Sequence, residues 1–470
     1  MTGHTQQVSE FCSGLDLADV PDHVVRRVQT ALIDSVGCGI FGSTLPWSQT
    51  LLSGVQSFAG SGRAVVLGSA ATLPPDTAAL VNGAFIHSFE FDDLQRDSFI
   101  HPGSSVVPPV LAYVDHSATP IRGEDVLAAL VTGYEVEIRA GLCAGLGLLR
   151  QGFHNSAVVG PIGAAAAMAR VLRLPPDKAN QCLGAAATQA GGLISAQFGA
   201  MFKRFHPGRA AQSGFYAGLL VDAGFTGIND VFDQSYGGYP ATMTSDYDLD
   251  ELTTGLGREY RAGSVGFKMF PSSASCYTTI QACLWAHQEA GVRPGQVEAV
   301  RIHCSTATAE HCGWPYKPDS VTTAQMNLLY CGAAALTDGV VDNSRFTDGR
   351  IGDPAIVELA GRFEVVTDPE IDAGGRTLRH KVRAEFVLRD GRTLTRELDA
   401  AYGFGGEPVS DTDIRDKFLR NAAPVLGGQN EALYQLLSDV RDLDDARVLT
   451  AAVTGRAQPS GPSTTRQAND

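Results

Sequence analysis

The sequence predicts a mainly α protein in which a large, discontinuous all-helical domain carries a smaller α+β lid domain. Three observations predict this. Residues 1 to about 266 are rich in Ala, Gly, Leu and Val at helical spacing, with few strand signals. Between about 267 and 403 the pattern changes to alternating segments mixed with helical ones. After Gly403-Phe404-Gly405-Gly406 the texture is helical again. The expected boundaries are 1–266 with 404–456 for the helical domain and 267–403 for the lid. Residues 457–470, polar with Pro, Ser and Thr, are expected to form a disordered tail.

Each element has its own signal. Val25, Val28, Leu32, Ile33 and Val36 fall on one helix face. Val158 to Leu174 is an apolar helical run that Pro175-Pro176 ends. In the second unit, Val297 to His303 alternates as a half-buried strand does, and Phe363 to Val366 is a second candidate. Val382 to Leu388 and Arg392 to Leu398, joined through Asp390-Gly391, read as a β-hairpin. Helical patterns lie between, at Tyr277 to Gly291 and Thr323 to Leu336. A helical stretch follows from Asp411 to about Leu449.

Composition narrows the function. With 36 Lys+Arg against 51 Asp+Glu, the 470-residue chain has a formal charge of -15. That opposes bulk electrostatic binding to nucleic acid or an anionic membrane. It leaves room for a small anionic ligand, because residues 141–221 contain seven Lys or Arg and a single acid, Asp177. Nine scattered cysteines, an odd number with no C-x-x-C, read as reduced thiols of a cytoplasmic protein. The N-terminus shows no secretory pattern, and no apolar run reaches membrane-spanning length.

Two polar clusters stand out. His87-Ser88-Phe89-Glu90-Phe91-Asp92-Asp93, followed by His101-Pro102-Gly103-Ser104-Ser105, places imidazoles and carboxylates within reach of each other if the chain folds back. Such a pair can move protons at neutral pH. Its alternatives are a metal site and a plain capped helix end. Lys203-Arg204-Phe205-His206-Pro207-Gly208-Arg209 reads as a loop presenting cations to a carboxylate or phosphate, its alternative being a solvated basic turn. The uncharged stretch before Lys203 is expected to be buried. His154 precedes an apolar helix, at whose N-terminus anions bind well. Lys268 lies where the texture changes, and Tyr316 lies in a Pro-bounded aromatic loop. Walker, nucleophile-elbow, dinucleotide-fingerprint and H-E-x-x-H motifs are absent from the sequence.

These segments together resemble one family. The succession is Ala31 to Gly37, Asn82-Gly83 to Asp92-Asp93, His101-Pro102-Gly103-Ser104, Gly152-Phe153-His154, Phe198-Gly199 to Lys203, and His206-Pro207-Gly208-Arg209-Ala210-Ala211. It continues at Lys268 with Pro271, Tyr330 to Ala335 with Asp338-Gly339, and Asp413 to Phe418. In this it resembles the MmgE/PrpD family over about residues 5–450. The resemblance implies a homodimer acting on a small anionic polycarboxylate between its two domains, with neither a metal nor an organic cofactor. It implies Asp93, His101, His154, Lys203, Lys268 and Tyr316 as catalytic residues; His206, Arg209, Ser273 and Tyr277 are the expected substrate-binding residues. His101, oriented by Asp93, is the expected acid/base; Lys203 and Lys268 are the expected electrostatic stabilisers. The first reading is a dehydratase of the 2-methylcitrate type. A cis-aconitate-type decarboxylase or an iminodisuccinate-type epimerase is the alternative, and a non-catalytic binding protein on the same fold the further one. The chain departs from the family at two places. Ser273 and Tyr277 stand where histidines are usual, and Leu94 to Ile100 lacks the usual Thr after the paired aspartates.

Overall fold

The computed structural model describes residues 3–404 and 408–454, leaving the expected 457–470 tail and Gly405-Gly406 outside the described residues. The molecule is mainly α, as the sequence predicts. Its principal helices are α1 (Asp22–Ser43), α2 (Pro75–Ile86), α3 (Pro102–His116), α4 (Gly123–Ala144), α5 (Asn155–Val171) and α6 (Phe202–Asp222). The second unit contributes α7 (Tyr277–Gln288) and α8 (Leu328–Asp338), and α9 (Asp411–Leu426) follows it. The sheet strands are β1 (Val297–Cys304), β2 (Phe363–Thr367), β3 (Val382–Leu388) and β4 (Thr393–Leu398).

The helical patterns bury as predicted. Val25, Val28, Leu32, Ile33 and Val36 all lie inward on α1. One apolar core joins α1, α3, α4 and α5 to Ile414, Phe418 and Ala422 of α9, so both ends of the chain enter it. Small residues let these helices approach closely. A side chain at Gly83 of α2 would meet the Gly208 Cα of α6 at 2.7 Å, and one at Gly208 would meet the Leu80 carbonyl oxygen at 2.1 Å.

A second core, from Cys276 to Leu388, is built on one four-stranded sheet in the order β2-β1-β3-β4. β1 runs parallel to β2 and antiparallel to β3. β3 and β4 form the expected hairpin, and Gly391 takes the left-handed φ of 89° that its turn requires. β3 alternates inward and outward along its whole length, as a sheet covered on one face by α7 demands. The Thr323 to Leu336 pattern is not one helix. It breaks at Asn327, whose side chain caps the N-terminus of α8. All nine cysteines are free and buried. Among the described residues no helix is long and apolar enough to cross a membrane.

Two local expectations are corrected. Lys203 to Arg209 is not a loop; it forms the first turns of α6, with Pro207 inside the helix. Pro207, the sixth residue of α6, leaves the Lys203 carbonyl oxygen without its i+4 amide partner, a single bond in a helix of 21 residues. The uncharged stretch before Lys203 is buried only in part: Ala179, Cys182, Leu183, Ala186 and Ala187 lie inward, whereas Leu193 and Phe198 are each 63% exposed.

Candidate active site

The first cluster folds back on itself. α2 runs into a tight helical turn, His87–Phe89, and Glu90 then adopts a left-handed φ of 54° that reverses the chain. Residues 90–93 therefore run beneath His87, and all are buried. His87 Nδ1 lies 2.9 Å from Asp92 Oδ2. His101, immediately before α3, sits with its ring centroid 4.7 Å from that of His87.

Asp93 and His101 do meet, though through a different atom of Asp93 than expected. His101 Nδ1 donates to the Asp93 carbonyl oxygen at 2.8 Å. The Asp93 carboxylate is engaged elsewhere, accepting from Gly103 N at 3.0 Å and from the Tyr134 hydroxyl at 2.7 Å. It caps the start of α3, as the plain helix-end reading required. Burial, with Asp34 and Asp92 repelling from nearby, raises the Asp93 carboxyl well above the carboxylate range. The charged carboxylate beside His101 is that of Asp92, 3.5 Å from Nδ1. Burial works against ionisation of Asp92, but His87 and His101 prevail and hold it at about 2. Because His101 Nδ1 carries the donated proton, its Nε2 holds the lone pair. Burial lowers this imidazole to about 3.

Lys203 and Lys268 converge on Glu90. Lys203 Nζ donates to Glu90 Oε1 and lies 3.2 Å from His87 Nε2. Lys268 Nζ reaches Glu90 Oε2 and the Glu90 carbonyl oxygen, each at 3.2 Å. Burial opposes ionisation of Glu90, yet the two ammonium groups outweigh it and hold the carboxyl well below its usual range. Burial lowers Lys203 below the usual lysine value.

His154 precedes α5, as its sequence position suggested, and its Nδ1 lies 3.1 Å from His206 Nδ1. His101 and His154 thus stand at the positive ends of two buried helices. Burial pushes His154 well below the usual imidazole value and His206 to about 4. A cavity of about 90 Å³ joins these groups: Glu90, His101, His154, Lys203, Lys268 and Ser273 all line it.

Other candidates lie outside the cavity wall. Tyr316 donates to the Ile351 carbonyl oxygen at 2.8 Å and packs its ring 4.9 Å from Tyr330, so its rigid loop feeds the second core. The Tyr277 hydroxyl is closed onto the backbone of Phe270. Arg209 is exposed and reaches Gln212. His206 touches the cavity only through His154. Sequence reasoning missed Arg96, Asn155, Gln197, His311, Arg379 and His380, which also line the cavity. The run Arg379-His380-Lys381 was the one visible signal for the last pair.

Among the described residues, His87, Asp92 and His101 bring ligand atoms within 4.8 Å of one another. Both imidazole Nδ1 atoms already face a protein oxygen, so the cluster is satisfied as a proton network.

Known proteins match along nearly the whole chain. Residues 6–250 match the MmgE/PrpD N-terminal domain and residues 270–442 the MmgE/PrpD C-terminal domain. The cis-aconitate decarboxylase-like protein oryM of Aspergillus oryzae is 30% identical over 96% of this chain and 97% of its own length. A cis-aconitate decarboxylase of Aspergillus terreus is 31% identical over 90% of each chain. That of Homo sapiens is 27% identical over 99% of this chain and 98% of its own. With both family domains present in order and relatives of matching length, the chain belongs to the MmgE/PrpD family, a family of enzymes.

Proposed function

We propose that the protein is a decarboxylase of a small unsaturated polycarboxylate, with cis-aconitate as the first substrate to test. The observation that carries this reading is the pair of buried ammonium groups, Lys203 and Lys268, held beside His101 in one cavity. The relatives favour decarboxylation over the dehydration placed first on sequence grounds.

The chemistry follows from these groups. When a carboxylate leaves as CO2, its electron pair passes into the adjoining double bond and onto a remaining carboxylate. Lys203 and Lys268 would stabilise that charge where it develops. Glu90 keeps two like charges together in a buried place, so the field is present before the substrate arrives. A proton must then reach carbon. In the empty site the His101 Nε2 is unprotonated, but a bound polyanion favours the imidazolium there. Asp92 lies close enough to balance that charge. His101 then delivers its Nε2 proton to carbon and returns to the neutral ring, the proton being replaced from solvent. His154, partnered by His206, is the second proton carrier.

The test is to incubate the protein with cis-aconitate and follow products by NMR. The expected result is CO2 with the unsaturated dicarboxylate one carbon shorter, and its loss in His101→Ala and Lys203→Ala. Water loss from 2-methylcitrate without CO2 would establish the dehydratase instead. Solvent deuterium entering iminodisuccinate without net loss would establish the epimerase. Full activity in both variants would remove these residues from the site.

A further inference from the structure

The cavity contains more positive charge than this chemistry uses. Its walls hold four basic side chains, Arg96, Lys203, Lys268 and Arg379, against one carboxylate, Glu90. Glu90 is committed to the two lysines. Arg96 has a half-exposed partner in Asp97. Arg379 has none: its Nε and Nη1 are buried without a hydrogen-bond partner among the described residues. Nδ1 of the adjacent His380 is likewise buried and unpartnered among them.

The guanidinium is nevertheless held in place. It stacks over the Phe99 ring, 4.2 Å from the centroid. Its backbone is fixed by hydroxyl donors, Ser305 at 2.8 Å and Thr308 at 2.9 Å, which both reach the Arg379 carbonyl oxygen. Its charged neighbour is Arg96, which repels it. A half-buried guanidinium whose inner nitrogens have no partner is completed by an anion, and an arginine fork matches a carboxylate in two parallel hydrogen bonds.

We propose that Arg379, with Arg96 and His380 beside it, is the specificity-determining subsite for a further carboxylate of the substrate, one that does not react. This rests on the reading of the substrate as a polycarboxylate. The second unit thereby supplies recognition together with Lys268, while Lys203, His101 and His154 of the helical unit supply the rest of the chemistry. It also accounts for the departure at Ser273 and Tyr277. The cavity regains imidazole and cationic groups from His311, Arg379 and His380, at other sequence positions of the same unit.

The experiment measures binding and needs no turnover. Calorimetry compares propane-1,2,3-tricarboxylate with glutarate, which lacks the middle carboxylate. The intact protein should bind the tricarboxylate at least about tenfold more tightly. Arg379→Gln should weaken tricarboxylate binding by about 10- to 100-fold, the scale of a charge-assisted hydrogen bond, and leave glutarate within about twofold. Arg379→Lys, checked for an unchanged melting temperature, should restore part of the preference. Equal affinity of the intact protein for both probes would overturn the subsite. Equal loss of both probes in a natively melting Arg379→Lys would overturn it too. If cis-aconitate is not decarboxylated but the Arg379-dependent preference remains, only the reaction assignment falls. If Arg379→Gln decarboxylates cis-aconitate with an unchanged KM, the subsite falls and the reaction assignment stands.

Discussion

Glu90 shows how one side chain can decide a site that its neighbours in sequence only hint at. Two lysines within reach of each other repel, and burial adds a desolvation cost to each. A single carboxylate between them makes the arrangement tenable, and its left-handed backbone places it there. Nothing in the run Phe89-Glu90-Phe91 distinguishes this acid from the aspartates that follow it. Its role depends on residues more than a hundred positions away. His101 gives the test at this scale. Burial holds its imidazole at about 3 in the folded protein, against about 6.5 in an unfolded chain. Between those values the unfolded chain binds the extra proton. The contribution of this group to stability is therefore complete above about pH 6.5 and is lost as the pH falls. In the ligand-free protein, the NMR signals of the His101 ring should report the neutral form from pH 8 down to pH 5. A midpoint near 6.5 would refute the assignment.

At the scale of elements, the crossing of α2 and α6 sets the distance between the two polar clusters. Gly83 and Gly208 face each other there, and the next atoms around Gly208 are backbone, which cannot swing away. Gly208→Val should part the helices and destabilise the protein by about 1–3 kcal/mol, measured as a lower urea midpoint. Because α6 carries Lys203 and α2 leads into Glu90, kcat should fall with it. An unchanged midpoint would show that the crossing does not constrain the site. The sequence showed Pro207-Gly208 as a break in a basic run, because a Pro-Gly pair signals a turn when only neighbours are considered. Packing against α2 overrides that signal: glycine is needed for close approach, and the helix continues through the proline at the loss of one backbone bond.

At the scale of the molecule, the periodic segments were legible because burial imposes its period directly on the residues; β3 and α1 are the clearest cases. The site was legible only in part. His101, His154, Lys203 and Lys268 stand beside features that sequence displays, such as helix starts and the change of texture. Arg379 and His311 do not, since only the fold brings the second unit against Phe99 and His101. The same holds for Lys417 of α9. It pairs with Asp34 of α1 at 2.6 Å and donates to the Phe91 carbonyl oxygen at 2.6 Å, all in the interior. Lys417→Ala should cost about 3–5 kcal/mol by urea unfolding, because it strands a buried carboxylate. Asp34→Asn combined with Lys417→Met should cost less than the single change. If the double variant is worse, the pair does not act as a unit.

Lys417 also gives the site a birth order. A ribosome builds the chain from its N-terminus, so every side chain that lines the cavity has been made once His380 is added. The lysine that tethers the loop of Glu90 to Asp93 emerges only afterwards, on α9. A growing chain thus holds every group of the cavity wall before it holds the tether that fixes the Glu90 loop.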